Sequence, residues 1–259
     1  MKLVMIEADG EVCPGRIAGD RIVELSGLGT DLRSILESGH LDRARSSEGR
    51  SIPLGSVKLL APIWNPAIVL SVGMNYHQHL KEMKTPAPAK PAAFTKSVAS
   101  IIGPDTPIRI PHSHPNMVDW EGEFSVVIGA PCHRVTAARA LDYLSSYTIV
   151  NDVSLAIGSR PPSPRRVMGS IHAWEENLLG KMFPTFCPMG PVLATKEDVL
   201  DPSNVHIDTR LNDKIMQSAN TSDLVFGVRE LIEYCSQFYL LKPGDVITSG
   251  SPSGVVLWS

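Results

Sequence analysis

Short apolar runs of strand length, separated by Gly, Pro, Asn and Asp, recur along most of this chain. That spacing suits strands better than long helices. Residues 2–7 and 21–25 read as short strands about the turn signals Asp9-Gly10 and Gly19-Asp20. Thr30 is placed to cap a helix to about Ser38, with Leu32, Ile35 and Leu36 on one face. Residues 46–53 are polar and read as loop. A boundary before Pro62 and Pro66 makes residues 1–60 a small αβ unit and residues 61–259 the main domain. In that domain, strands are expected at 67–72, 92–95, 108–110, 121–128, 147–153, 191–194, 205–211 and 246–248. Asn212-Asp213 is a hairpin turn between two strand-like runs. Helices are expected at 76–83, at 136–145 and at 222–238, the last capped by Ser222. Many strands, few helices and irregular connections predict a β-rich α+β fold rather than alternating βαβ units.

Composition narrows the function classes. Hydrophobic residues make up 43% and charged residues 20%, enough apolar content for a packed core. The net charge of −3 carries no basic excess for a nucleic acid or an acidic membrane surface. No apolar run approaches the length of a membrane span. The N-terminal run meets acidic residues too early for a secretory signal. Cys13, Cys132, Cys187 and Cys235 are scattered without a C-x-x-C pair, which reads as reduced thiols of a cytoplasmic protein.

The most informative segment is Trp120-Glu121-Gly122-Glu123-Phe124-Ser125-Val126-Val127-Ile128. Alternation along a strand points Glu121 and Glu123 to one face, at the entrance of an apolar run. Two such carboxylates repel unless one is protonated or a cation lies between them. The pattern alone also describes two solvated glutamates at a strand end. A second apolar run, residues 147–154, carries Asn151-Asp152 deep within it, where a charge is costly. Asp152 could cap a turn. With Glu121 and Glu123 it could equally complete an oxygen-rich site for a hard divalent cation, Mg2+ or Mn2+.

Seven stretches, taken in order, resemble the short form of the fumarylacetoacetate hydrolase family. They are G-M-N-Y-H-Q-H-L-K-E (73–82), F-T-K (94–96), D-W-E-G-E-F-S-V-V-I-G (119–129), Y-T-I-V-N-D-V-S (147–154), G-K-M-F-P-T-F-C-P-M-G-P (180–191), Q-S-A-N-T-S-D-L-V-F (217–226) and P-G-D-V-I-T-S-G-S-P-S-G-V (243–255). The resemblance implies a mixed β-roll body with a small N-terminal domain, assembled as a homodimer. It implies that Glu121, Glu123 and Asp152 hold magnesium or manganese. It also implies a small keto-acid substrate, such as an acylpyruvate or another 2,4-diketo acid, cleaved by hydrolysis at a C–C bond. The alternatives are decarboxylation or enol–keto isomerisation at the same site, or a catalytically impaired homologue that only binds ligand.

The remaining candidates follow from that chemistry. His79 and Glu82 lie three apart on one helix face, so the carboxylate can orient the imidazole while the imidazole activates water. Lys181 can neutralise the acidic site and stabilise enolate charge. Ser251 stands where the family usually has threonine in a G-T-P turn and can bind a substrate oxygen. Lys96 fits either a substrate carboxylate or a structural ion pair. Gln217, Asn220 and Thr221 read as turn and packing residues. The arginine that often follows the family's metal aspartate is missing, since Asp152 is followed by Val153-Ser154-Leu155-Ala156. Its role either passes to Arg160, Arg165 or Arg166, in a proline- and arginine-rich loop over the site, or is absent from this chain. The chain also reads as shorter than its relatives at the C-terminus.

Overall fold

A computed structural model describes residues 1–155 and 178–256. Among these residues the fold is mostly strand, with few and short helices, as the alternating pattern predicts. The largest sheet has twelve strands. Its path runs Ser51–Pro53, Arg21–Glu24, Glu11–Ala18, Lys2–Ala8, Cys187–Thr195, Leu144–Asn151, Gly122–Ile128, Val246–Thr248, Val69–Gly73 and Ala92–Lys96. Lys58–Leu60 and Ile101–Ile102 pair off this path. Most neighbours are antiparallel, but Val246–Thr248 runs parallel to Val69–Gly73, so the sheet is mixed.

Period-two alternation decides which core each residue joins. Leu70, Phe124, Val126 and Ile247 pack on one face with the helix Val228–Phe238. Their chain neighbours Val69, Val127 and Val246 pack on the other face with Leu32, Ile35 and Leu36. The helix Val228–Phe238 buries Val228, Leu231, Ile232, Cys235 and Ser236, an apolar stripe at helical spacing. The N-terminal segment shares a sheet and a core with the body. Lys2–Ala8 pairs with Cys187–Thr195, and Leu3, Met5 and Ile35 share a core with Val127 and Val150.

Several elements differ from the sequence reading. Asp31 rather than Thr30 caps the helix Leu32–Glu37, accepting from Ser34 N–H at 2.7 Å while Ser34 Oγ accepts from Asp31 N–H. The strand Glu11–Ala18 fills the gap between the two expected strands. Residues 46–53 are partly regular, closing the helix Leu41–Ser46 and forming the strand Ser51–Pro53. Residues 108–110 form no strand: Pro107 and Pro111 flank them, they are exposed, and Arg109 N–H goes to Thr185 Oγ1. The helix expected at 136–145 shortens to a 3-10 turn, Ala137–Asp142, because the sheet recruits the chain from Leu144 onward.

The last helix begins after Gly227, not at Ser222. The Asn75 side chain takes both the N–H and the C=O of Phe226, and Asn75 O accepts from Val225 N–H, so residues 225–226 bond to another segment. Asn212 and Asp213 form the expected turn of the hairpin His206–Leu211 and Lys214–Asn220, with φ values of 49° and 63° suited to a type I′ turn. No helix among the described residues is long and apolar enough to cross a membrane.

A shared core predicts shared unfolding. Ile35→Ala should lower stability by about 2–5 kcal/mol in one cooperative denaturant transition monitored by both fluorescence and circular dichroism. Two transitions, with only the first displaced, would show that the N-terminal segment folds independently.

Candidate metal centre

Strand register brings the acidic residues together. Gly122 pairs with Asn151 where two antiparallel strands meet, so the chain just before one strand lies beside the chain just after the other. Asp152 N–H donates to Glu121 O at 2.8 Å, and Glu121 N–H donates to Asn151 Oδ1 at 2.9 Å. One carboxylate oxygen each from Glu121, Glu123 and Asp152 then lies within 4.8 Å of the others.

Gly122 is required by the opposite face. A Cβ there would meet Thr209 Oγ1 at 2.1 Å, since the hairpin His206–Asn220 lies against it. Glu123 Oε2 accepts from Gly250 N–H at 3.2 Å. Gly250 has φ +94°, and a Cβ on it would meet Val72 O at 2.8 Å, so only glycine fits this turn without strain.

Two ammonium groups enter the cluster. Lys181 Nζ lies 2.7 Å from Glu121 Oε2 and 2.6 Å from Asp152 Oδ2. Lys96 Nζ lies 2.6 Å from Asp152 Oδ1 and donates to the carbonyls of Lys181 and Val153 at 2.9 and 3.2 Å. Lys96, left open by the sequence, is here a buried partner of Asp152. The signal was slight: one lysine closing the run Ala92-Ala93-Phe94-Thr95.

Charge does not balance if all three acids ionise, because three carboxylates face two ammoniums. Burial, followed by the nearby Asp152 charge, pushes Glu123 well above the ordinary glutamate range. Burial also acts to raise Asp152, but Lys181 and Lys96 outweigh it and hold Asp152 below the usual range. Burial acts to lower Lys181, and the surrounding carboxylates overcome this and raise it. Asp119, behind the cluster, is pushed up to about 7 chiefly by burial, although it accepts from the N–H groups of Trp120 and Val256.

These residues fit a divalent cation. Glu123 Oε1 is buried without a hydrogen-bond partner. The three oxygens span a distance that one ion with ligands at ~2.0–2.6 Å can bridge. Carboxylate oxygens that already face an ammonium keep a further lone pair for a metal.

The other candidates occupy distinct places. His79 and Glu82 lie on the helix His77–Glu82, with His79 Nδ1 3.1 Å from Glu82 Oε2. Among the described residues, no hydrogen bond or ion pair joins them to the carboxylates. Their helix starts beside the cluster, however. Tyr76 precedes it, fully buried and pushed up to about 12 by burial and, to a lesser degree, by the nearby Glu123 charge. The side chain of Asn75 donates to Ser249 O in the turn that holds Glu123. Ser251 is buried, and its Oγ accepts from Gln217 Nε2 at 2.9 Å. Gln217 is also buried and does more than fill a turn: its Oε1 accepts the N–H of Gly122. Arg160, Arg165 and Arg166 lie outside the described residues.

Comparison with known proteins places this arrangement. Residues 68–257 match the family described as "Fumarylacetoacetate (FAA) hydrolase C-terminal", and residues 1–62 match "Rv2993c-like, N-terminal". The mitochondrial oxaloacetate tautomerase fahd2 of Xenopus laevis is 37% identical over 98% of this chain and 81% of its own length. Human mitochondrial oxaloacetate tautomerase FAHD2A is 41% identical over 82% of this chain, which spans only 64% of that protein.

Among solved structures, a 5-carboxymethyl-2-hydroxymuconate delta-isomerase from Mycobacterium smegmatis is 36% identical. It aligns over 98% of this chain and 89% of its own, with a TM-score of 0.77. Maleylpyruvate hydrolase from Sphingobium sp. SYK-6, solved with manganese (II) ion and pyruvate, is 26% identical. It aligns over 98% of this chain and 90% of its own, with a TM-score of 0.79. The chain belongs to the fumarylacetoacetate hydrolase family.

Proposed function

We propose that this chain is a divalent-metal-dependent enzyme that stabilises the enolate of a small 2-oxo acid. Its proposed reaction is the keto–enol interconversion of an oxaloacetate-like dicarboxylic acid. The carrying observation is the convergence of Glu121, Glu123 and Asp152 within 4.8 Å, with Glu123 Oε1 buried and unpartnered. The names of the relatives at 37% and 41% identity support keto–enol chemistry as the first reading.

Glu121, Glu123 and Asp152 would hold magnesium or manganese. When bound, such an ion polarises a 2-oxo group and offsets enolate charge as a Lewis acid. Lys181, held between Glu121 and Asp152, adds fixed positive charge beside that oxygen. Lys96 keeps Asp152 ionised and in place. An ionised Glu82 can only accept, so His79 carries its hydrogen on Nδ1 and its lone pair on Nε2. His79 Nε2 then takes the proton from the carbon beside the oxo group, and Glu82 stabilises the imidazolium until the proton returns to oxygen. Any further arginine contact to a substrate carboxylate would come from Arg160, Arg165 or Arg166.

Hydrolytic cleavage of a 2,4-diketo acid is the second reading. The His79–Glu82 pair favours it, because an imidazole backed by a carboxylate is equally suited to activating water. Both readings begin with the same enolate and differ in whether water attacks. The dimer implied by the family resemblance belongs to either reading.

Chelator treatment should abolish the protein's acceleration of enol decay in oxaloacetate, measured above a protein-free control with the same ions, and Mg2+ or Mn2+ should restore it. Glu123→Gln should weaken Mn2+ binding, followed by electron paramagnetic resonance, by at least about tenfold. Unchanged Mn2+ affinity in that variant would remove Glu123 from the metal site. Incubation in 18O-labelled water should leave no label in a newly formed carboxylate if tautomerisation is the reaction. Stoichiometric label in a cleavage product would establish hydrolysis instead.

A further inference from the structure

The amide of Gln217 touches three groups, and two of them have fixed polarity. Gly122 N–H can only donate, and it meets Gln217 Oε1 at 3.0 Å. Pro252 C=O can only accept, and it meets Gln217 Nε2 at 2.9 Å. These two backbone groups fix which end of the amide is oxygen and which is nitrogen. The third contact follows from them: Nε2 donates its second hydrogen to Ser251 Oγ at 2.9 Å.

That donation narrows the directions open to a hydroxyl that otherwise rotates freely. Ser251 Oγ has accepted from Gln217, so its own hydrogen must point elsewhere. The acceptor available to it within the described residues is Pro252 O, at a long 3.4 Å and already bonded to Gln217. Gln217 and Ser251 are both almost wholly buried, so water cannot readily take the place of that acceptor. Gly122, at the other end of the same amide, lies between two of the acids proposed to hold the metal.

We propose that Gln217 is a positioning residue that presets Ser251 as a hydrogen-bond donor toward an oxygen of the bound 2-oxo acid. This rests on the reading of the site given above and adds the polarity of one contact to it. The substrate group at Ser251 is then an acceptor, a carboxylate or carbonyl oxygen, and not a hydroxyl that must donate. Substituting Gln217 with Glu keeps the shape but removes the amide hydrogens. The new carboxylate would draw the Ser251 hydrogen toward itself and away from substrate.

Binding of oxalate, a stable dianion resembling a 2-oxo acid enolate, to the Mn2+-loaded protein tests this by calorimetry without catalysis. Gln217→Glu and Ser251→Ala should each weaken oxalate by about 10- to 100-fold, as expected for losing one hydrogen bond to a charged group. Ser251→Thr should bind like the parent. In the Ser251→Ala background, Gln217→Glu should cause little further loss, because the hydroxyl it redirects is gone. Gln217→Met serves if the Glu variant does not fold, with a smaller loss that is again confined to proteins carrying Ser251.

Equal losses from the Gln217 substitution with and without Ser251 would overturn the proposal. So would parent-like oxalate affinity in both single variants, which would leave the metal-dependent reading standing. A parent protein that binds Mn2+ but not oxalate would overturn the proposal and the 2-oxo acid reading together.

Discussion

Gathering three carboxylates in one place, with Glu123 and Asp152 buried, is the constraint on which the rest of this structure depends. Isolated charges in a protein interior are too costly to persist unless paired. Lys96 and Lys181 supply two compensating charges, each at 2.6 Å from Asp152. One acid remains in excess, and Glu123 answers by favouring its neutral form. With Glu123 neutral, the two remaining carboxylates match the two ammoniums, and an added cation would favour release of the Glu123 proton. The same two lysines would also offset enolate charge in the proposed reaction, so the groups that stabilise the cluster are those the proposal uses.

The scaffold serves that cluster through polar contacts from distant segments. Gly250 fixes one oxygen of Glu123, Gln217 fixes the backbone between the two glutamates, and Asn75 ties the helix carrying His79 to the turn at Ser249. Asp223 accepts from Gln78 N–H at the start of that same helix. The stretch from Gln217 to Phe226 therefore grips both the acidic cluster and the helix carrying the proposed base. This accounts for its dense run of Gln, Asn, Thr, Ser and Asp next to an acidic cluster to which it contributes no carboxylate.

Much of this was legible in the chain because local chemistry and tertiary structure agree there. The period-two apolar pattern marked the strands at Gly122–Ile128 and Val246–Thr248, and Asn212-Asp213 marked its hairpin. The acids stood out because charged residues in apolar runs need an explanation. Lys96 and Gln217 were underread, since their importance comes from partners 56 and 95 residues away, and nothing in their immediate sequence announces those partners. Pro107 and Pro111 were sufficient to argue against a strand at 108–110. The late start of the last helix was not readable locally, because it follows from Asn75 occupying the backbone of Phe226.

The pairing of Gly122 with Asn151 carries a consequence for how this protein can change over time. A slip of one position along that ladder would turn Glu123 toward the aromatic face occupied by Phe124 and bring a bulky side chain against Thr209. An insertion or deletion near this pair would disturb the cluster unless a bulge absorbed it, as the ladder already does between Val127 and Ile128. Length can vary at lower cost in the connecting segments, which leave untouched the alignment that assembles the acids.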